Sequence, residues 1–498
     1  MHRLLAGWLQ YHSSMKRSRG FKFQRSTLLL LGCLGFLAGV GLAKGGIARS
    51  AMWCLGGAII AVAMTRKRAL VVITCWILCG VAIGYWRGGI YVQKLDEYDQ
   101  FYFQKVSLDV RALDDGVYGN KAQLSFTGGH ATLFNGQELA GKISVSGFGL
   151  PAVFQGDEVR VVGKLYPTLG AAQGRLSFAG LQLVAHHPSL VSEVRRKFTA
   201  GMQSALPEPL DSFAMGLLVG QRATLPADVK QDLLMVGLTH IIAVSGYNLT
   251  IMLRASKKVL DGRSKRLATM LSLGLIAVFL LIAGSSASIV RAAIVSVLSI
   301  FAGYYGRTFR PLTLIALAAA ITAYLNPFYL WSDVSWYLSF LAFYGVMVLA
   351  PLIAARLPGR LHNSLIGMVA LESLCAEAVT LPFVLHTFGQ MSFIGLVANI
   401  LVVALVPLAM LLAMVAGLAG MAVGSIAGWF AWPAAALLTY MLDIAHALAR
   451  LPHIFVQNVG LSLGQMLDIY LVIVAISILL RFKSRPKGGI VTDKNVLQ

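Results

Sequence analysis

The sequence predicts a polytopic α-helical membrane protein of about twelve transmembrane helices that carries a small extracytoplasmic β-barrel domain. Of its 498 residues, 57% are hydrophobic and only 13% are charged, whereas soluble domains carry about a quarter charged residues. Apolar runs long enough to cross a bilayer lie on both sides of a stretch, residues 100–185, in which polar and apolar side chains alternate. Together these patterns predict helices in the membrane and strands outside it.

The basic residues indicate how the chain is oriented. The formal net charge is +21, which would suit a nucleic-acid-binding protein, but more than half of the Lys and Arg residues lie in short segments beside the apolar runs. An excess of Lys and Arg marks cytoplasmic loops. We therefore expect a multi-pass inner-membrane protein with both termini in the cytoplasm, whose positive charge is mostly an orientation signal. The basic segments are 1–27, 65–68, 254–266, 307–310, 356–360 and the tail from Arg481.

The predicted spans precede and follow the alternating stretch. The second is short for a span, and the span at 392–419 contains Pro407, which can break a helix. Spans are predicted near 27–43, 51–64, 69–86, 238–254, 267–284, 288–306, 312–325, 334–354, 363–387, 392–419, 422–447 and 463–480. The predicted domains are 1–90 (N-terminal transmembrane helices), 91–189 (β domain), 190–237 (amphipathic helices, interfacial or packed against the bundle), 238–482 (main transmembrane domain) and 483–498 (cytoplasmic tail).

The alternating stretch predicts five or six short strands. Gly, Asn and Asp separate segments such as "VSLDVRAL", "GKISVSG" and "DEVRVVGKL", which is the period-2 pattern of half-buried strands. So many strands in so short a stretch fit an OB-like barrel, a fold that often binds oligonucleotides. Four phenylalanines could stack on bases, but we favour the interpretation that they fill the barrel. They are Phe126, Phe134, Phe148 and Phe178.

One apolar segment, "THIIAVSGYNLTIMLR" at 239–254, carries a helix breaker and several hydrogen-bonding side chains. His240, Ser245, Gly246 and Asn248 lie within it. Irregular backbone at membrane depth is tolerated where it is buried in protein or lines a water-filled cavity. The segment therefore predicts a pore lining, and the alternative is a close helix crossing at Gly246.

Ionisable residues in transmembrane segments are costly and suggest functional sites. Arg291 shares a helix face with Ser288 and Ser285, and a guanidinium near a helix N-terminus can bind an anion such as phosphate. An equally favoured alternative is that Arg291 pairs with Glu372 or Glu377 and only holds the bundle together.

Three further groups of polar or aromatic residues are candidates for a functional site in the membrane. Glu372, Glu377 and His386 could form a proton or cation relay, whereas Asp443 and His446, three residues apart, are expected to pair locally. The segment "DVSWYLSFLAFYGV" places aromatic side chains on one helix face, where packing is favoured over stacking on bases. Asn399 is a weaker candidate because a buried Asn can simply bridge helices. The aromatic face comprises Tyr337, Phe340 and Tyr344, with Asp333 at its start.

Four ordered stretches resemble the ComEC family of competence proteins, the inner-membrane channels for transforming DNA. They are "GLLVGQRATLPADVKQDLLMVGLTHIIAVSGYNLTIML" from Gly216, "SASIVRAAIV" from Ser286, "SDVSWYLSFLAFYGV" from Ser332 and "EAVTLPFVLHTFGQMSFIGLVANILVVALVPL" from Glu377. The sequence departs from the family pattern at Tyr247–Asn248, where a His is usual, and at Trp336–Tyr337, where a Phe-Gln pair is usual.

The resemblance implies a channel that passes single-stranded DNA into the cytoplasm. It also implies partners: a cytoplasmic ATPase and DNA-binding proteins, since the chain has no "GxxxxGK[ST]" segment. Many members carry a C-terminal metallo-β-lactamase-like nuclease domain, but no His-x-His-x-Asp-His cluster occurs here, so we expect a separate nuclease. We expect no enzymatic activity, cofactor or metal. The alternative function is a proton-coupled transporter of small solutes or lipids, with the Glu372, Glu377 and His386 relay.

Overall fold

A computed structural model of the chain contains two compact units. The first comprises Met1–Gln93 and Leu312–Trp331, and the second comprises Lys94–Pro311 and Ser332–Gln498. The structure describes residues 25–45, 68–118, 123–168, 172–187, 190–220, 224–242, 264–283, 287–306, 310–357 and 365–483.

Helices account for most of the described residues. They are α1 (Arg25–Lys44), α2 (Arg68–Asp99), α3 (Leu190–Ala205), α4 (Leu210–Val219), α5 (Ala227–Met235), α6 (Thr239–Ile242), α7 (Lys265–Ala283), α8 (Ala287–Tyr304), α9 (Pro311–Leu325), α10 (Phe328–Ser332), α11 (Val334–Tyr344), α12 (Ala350–Ala354), α13 (Leu365–Phe388), α14 (Gly395–Val402), α15 (Val406–Val423), α16 (Ala427–Ala449) and α17 (Leu463–Lys483). The strands are β1 (Lys105–Ala112), β2 (Val117–Tyr118), β3 (Leu124–Leu133), β4 (Glu138–Phe148), β5 (Glu158–Pro167), β6 (Gly174–Ala185), β7 (Gln390–Ser392) and β8 (Phe455–Gln457).

Within the described residues, five helical segments are long and apolar enough to cross a membrane, so the chain is a membrane protein. The predicted total of about twelve is not confirmed. The span at 51–64 and most of the span at 238–254 lie outside the described residues, and the helices at the remaining predicted positions are not among the five. Pro407 does mark a break: a 3-10 turn, Val403–Leu405, separates α14 from α15. The five segments are Ser26–Lys44, Val71–Asp99, Val334–Ala354, Gly395–Val423 and Leu463–Arg481.

The first unit is held together by a close helix pair. Side chains at Gly39 of α1 or Gly84 of α2 would overlap the carbonyl oxygens of Val81 and Phe36 on the facing helix. Small residues permit such an approach, which is how helices associate where lipid removes the hydrophobic driving force. Trp331 Nε1 also donates to a carbonyl oxygen of α1 at 3.0 Å.

The β segment forms the predicted small barrel. β1 pairs with both β3 and β5, and the order β1-β5-β6-β4-β3 therefore closes into a ring of five strands, with the two-residue β2 added beside β3. All neighbouring pairs are antiparallel except β4 and β6, which run parallel. Alternate residues of each strand point inward, so that Leu108, Ile143 and Val161 are fully buried.

The prediction that four phenylalanines fill the barrel is wrong for three of them. Phe126 is 4% exposed, but Phe134, Phe148 and Phe178 are 89%, 46% and 66% exposed. Phe178 lies at a β-bulge. At this point β5 contributes one residue, Gly163, and β6 contributes two, Phe178 and Ala179. A bulge shifts the alternation of side chains, and Phe178, with φ 55°, points outward.

The amphipathic segment after the barrel packs into the helical core. Phe198 and Met202 of α3 are 1% and 0% exposed. A Cβ at Gly201 would lie 2.7 Å from the carbonyl oxygen of Gly417 on α15, and one at Gly420 would overlap Gly201. Of the two alternatives for this segment, the structure therefore shows packing against the bundle.

Arg195 of α3 joins the barrel to the helices within the second unit. It is 9% exposed, donates from Nη1 to Gln155 Oε1 at 3.0 Å, and donates from Nη2 to the Leu281 carbonyl at the end of α7 at 3.2 Å. The neighbouring Arg196 lies 4.6 Å from the ring centroid of Phe154. The loop before β5 is thus anchored on α3.

Replacing Gly420 should test the glycine contact. We expect Gly420→Val to destabilise the protein by about 1–3 kcal/mol or more, because the new side chain overlaps α3. Gly428→Val is the matched control, since a Cβ there meets no atom within 4 Å. Thermal unfolding in detergent should show a lower midpoint for the first variant and little change for the second; equal midpoints would contradict the close packing.

Candidate functional site

The second unit contains a buried cation, Arg291 of α8. Its side chain is 0% exposed, and Nη1 lies 3.5 Å from Asp333 Oδ2. Nη2 donates to the carbonyl oxygen and to Oγ of Ser335, at 3.0 and 2.9 Å. Arg291 therefore attaches α8 to the start of α11.

Asp333 has two roles at this point. It is the N-cap of α11, where Oδ1 accepts a hydrogen bond from the Ser335 N–H at 2.9 Å. Its other carboxylate oxygen faces Arg291. An N-cap carboxylate satisfies exposed backbone N–H groups, and here its charge also balances a cation that has no access to water.

The ion-pair partner expected from the sequence was different. In the alternative that makes Arg291 an ion-pairing residue, the sequence favours Glu372 or Glu377 as its partner, but the structure pairs it with Asp333. The sequence does not suggest Asp333 as the partner, because it lies at a helix end rather than inside a span. The signal that could have found it is the "SDVS" segment, since Asp before an apolar helical run is a common N-cap.

The predicted anion site around Arg291 is described only in part. Ser285 and the side chain of Ser288 lie outside the described residues, and the guanidinium of Arg291 contacts protein groups rather than solvent. A phosphate contact by these three residues stays a prediction.

A second polar cluster surrounds Glu377 of α13. Asn399 Nδ2 donates to Glu377 Oε2 at 3.5 Å, and a Cβ at Gly395 would lie 3.1 Å from Glu377 Oε1. Asn399 is 7% exposed, so it bridges α13 and α14 from a buried position. His386 instead places Nδ1 2.9 Å from the Leu461 carbonyl, and in this structure it is not joined to Glu377.

The aromatic face of α11 is mainly packed inside the protein. Trp336 and Phe340 are 5% and 8% exposed, with ring centroids 4.7 Å apart. Tyr337 lies 5.3 Å from Phe383 of α13. The geometry favours packing, as expected, over a role for Phe340 in stacking on bases.

The expected local pair on α16 is wrong. His446 Nδ1 lies 2.7 Å from Asp232 Oδ2 of α5, so the histidine pairs with another helix rather than with Asp443. Both residues and Asp443 line a cavity of about 340 Å³. Sequence spacing could not find Asp232, which is more than two hundred residues away.

The segment around His240 is described only to Ile242. His240 lies in α6, with Nδ1 3.1 Å from the Gly237 carbonyl. Ser245, Gly246 and Asn248 lie outside the described residues, and a pore lining by this segment stays a prediction.

The four stretches that resemble one family contact one another within the second unit. Arg291 joins the second to the third, and Tyr337 with Phe383 joins the third to the fourth. Gly237 joins the first to the fourth: with φ +81°, it lies so close that a Cβ would be 3.2 Å from Ser392 Cβ. We call this set of contacts the motif junction.

The buried pair at the motif junction should be strongly coupled. Arg291→Met or Asp333→Asn alone should cost about 3–5 kcal/mol, because each leaves an uncompensated buried charge. The double variant should cost much less than the sum, since both charges are gone and Asn can still cap α11. Thermal unfolding in detergent measures the cycle, and additive losses would contradict the coupling.

The comparisons with known proteins agree with the resemblance. The profile of the competence protein family matches residues 217–483, and these residues include all the contacts of the motif junction. ComE operon protein 3 of Bacillus subtilis (strain 168) is 24% identical over 215 residues, which are 43% of this chain and 27% of that protein. The aligned region thus spans about a quarter of that relative. No solved structure matches the chain. Since the family profile covers slightly more than half of its length, the chain belongs to the competence protein family.

Proposed function

We propose that this protein is an inner-membrane channel that passes single-stranded DNA into the cytoplasm during natural transformation. The observation that carries the proposal is the motif junction. Its contacts connect four separate stretches of the chain, and one of them is a buried ion pair between α8 and α11. A membrane protein that keeps costly polar groups at the meeting point of its helices is expected to use that region.

The barrel is the proposed receiving domain outside the membrane. Its five strands close through β1, and β4 and β6 are its single parallel pair, which suits an OB-type barrel. The exposed rings of Phe148 and Phe178 lie 6.5 Å apart on its surface. Exposed aromatic rings can stack on the bases of a single strand without regard to sequence.

The pore would lie in the helical part of the second unit. We assign its lining to the segment from His240 to Asn248 and to Ser285 and Ser288, which immediately precede Arg291. The Asp333 pair would then set the position of α8 while the preceding serines face the strand. Tyr337, Glu377 and Asn399 hold neighbouring helices around this region.

The proposed channel acts with other proteins. It has no catalytic role in this proposal, so the driving force comes from a cytoplasmic ATPase and DNA-binding proteins, and a separate nuclease degrades the second strand. The name of the matched relative, ComE operon protein 3, is consistent with a set of functionally linked proteins.

Uptake of labelled double-stranded DNA tests the channel. In cells that lack the protein, we expect label to bind at the surface but to remain sensitive to added DNase, because the strand cannot cross. Cells with the wild-type chain should protect a fraction of the label. Normal protection in the deletion strain would show that DNA enters by another route and would overturn the proposal.

Glu377 separates the channel from the proton-coupled transporter. Glu377→Gln keeps a hydrogen-bonding partner for Asn399 but removes the titratable group. We expect DNA uptake to change less than about twofold, since no proton transfer is required. A relay would be abolished by the same change. Loss of all DNA uptake with normal amounts of the variant in the membrane would contradict a structural role for Glu377 and would show that uptake depends on its titratable group.

A further inference from the structure

The outer face of β1, β5 and β6 combines three cations with aromatic rings. Outward positions alternate along these strands, and Lys105, Lys164 and Arg175 are exposed there. Lys105 lies directly opposite Lys164, and Arg175 lies opposite Tyr166. Strand spacings put the three cations within about 12 Å of one another. We call this surface the β5 face.

The charges of the β5 face are not neutralised by neighbouring acids. In the part of the chain that the structure describes, none of its three cations forms an ion pair. Arg160, further along the same strand, differs: it forms two hydrogen bonds to Asp109, at 2.7 and 2.8 Å. These bonds lower the pKa of the Asp109 carboxyl. The charge of the Asp109 carboxylate therefore balances that of Arg160.

The two lysines lie close enough to repel each other. Like charges directly across two strands destabilise a sheet, and Lys105 and Lys164 have this relation. A bound anion between them would offset the repulsion. Lys164 also lies 5.7 Å from the ring centroid of Tyr166. A cation for the phosphate and a ring for the base, which a single-strand site combines, therefore lie side by side.

Aromatic pairs flank the cations on both sides. Phe103, held at φ 64° with its N–H bonded to the Leu165 carbonyl, lies 5.9 Å from Tyr166. On the other side, the β6 bulge turns Phe178 outward against Phe148, 6.5 Å away. Arg175 and Phe178 are three residues apart on β6, or roughly 10 Å along an extended strand.

The face that such barrels usually offer to oligonucleotides is different here. In OB folds the second and third strands bind the ligand, which correspond to β3 and β4. Outward positions on these strands form the cross-strand pairs Ser125–Ser146 and Thr127–Ser144. The cation on their shared face is Lys142, which lies opposite Gly129. The centre of this face therefore carries hydroxyl groups, and the exposed ring of β4, Phe148, lies at the end of the strand, beside Phe178 of β6.

We propose that single-stranded DNA binds to the β5 face rather than to the β3–β4 face, with phosphates on Lys105, Lys164 and Arg175 and bases stacked on the Phe103–Tyr166 and Phe148–Phe178 pairs. The inference rests on the proposed function, in which the barrel receives the strand. It is independent of how the strand then crosses the membrane.

Binding of a fluorescent oligothymidylate to the full-length protein in zwitterionic nanodiscs tests the proposal. Phe178→Leu should weaken binding about fivefold or more, because stacking is lost. The matched control Phe134→Leu, at another exposed ring, should change it less than twofold. Lys164→Gln should likewise weaken binding more than Lys142→Gln does.

Salt dependence gives a second measurement. The triple variant Lys105→Gln/Lys164→Gln/Arg175→Gln should reduce the slope of log K against log salt by about 2, since each single-strand phosphate contact contributes about 0.7. An unchanged slope, or controls that weaken binding as much as the β5-face variants, would overturn the proposal. So would a triple variant that binds oligonucleotide normally but no longer binds vesicles containing phosphatidylglycerol, because the face would then contact anionic lipid.

The two proposals fail in different ways. If the wild-type protein binds the oligonucleotide and the β5-face variants bind equally well, the location is wrong while uptake by the channel stands. If the wild-type protein binds no oligonucleotide, the β5 face is not a DNA site, and DNase protection in cells still decides the channel function independently.

Discussion

A guanidinium that water does not reach has to be balanced by the protein, and the arrangement of the second unit depends on how this is done for Arg291. Its partner, Asp333, is also the residue that begins α11, so one carboxylate fixes both the start of a helix and the position of α8 beside it. Losing either charge strands the other in a buried site. Tyr337 of the same helix packs against Phe383 of α13. The ion pair therefore helps to fix the position of α13 as well as that of α8.

The barrel and the helices of the second unit are packed in different ways. The barrel has an apolar interior from alternate strand residues and leaves its outer face free for charged and aromatic side chains. The helices bury small residues where they cross, as at Gly201 and Gly420. Elsewhere a glycine lies beside a polar group, as Gly395 does at Glu377, which accepts a hydrogen bond from Asn399. In the proposed function, the barrel binds the DNA strand through side chains on its outer face, whereas the helices have only a few polar groups for such contacts.

The sequence predicted the elements better than it predicted their partners. The five or six barrel strands follow from period-2 alternation, and a break near Pro407 follows from proline chemistry; the structure has both. The partners of Arg291 and His446 could not be found in this way, because Asp333 and Asp232 are brought near by packing between distant helices. The exposure of Phe178 was missed for another reason: a bulge shifts the alternation by one residue, and the pattern of polar and apolar residues alone does not show where the shift occurs.

Arg195 limits how far the barrel can be treated as an exchangeable part. Its guanidinium is shared between the side chain of Gln155 in the barrel and the Leu281 carbonyl at the end of α7, and Arg196 stacks on Phe154 of the same loop. A chimera that takes its barrel from a relative would replace the loop before β5, while the arginines of α3 that contact this loop would stay the same. The transplanted segment would therefore have to carry its own α3 along with the strands, and the working unit of exchange extends past the last residue of β6 into the helical part of the chain.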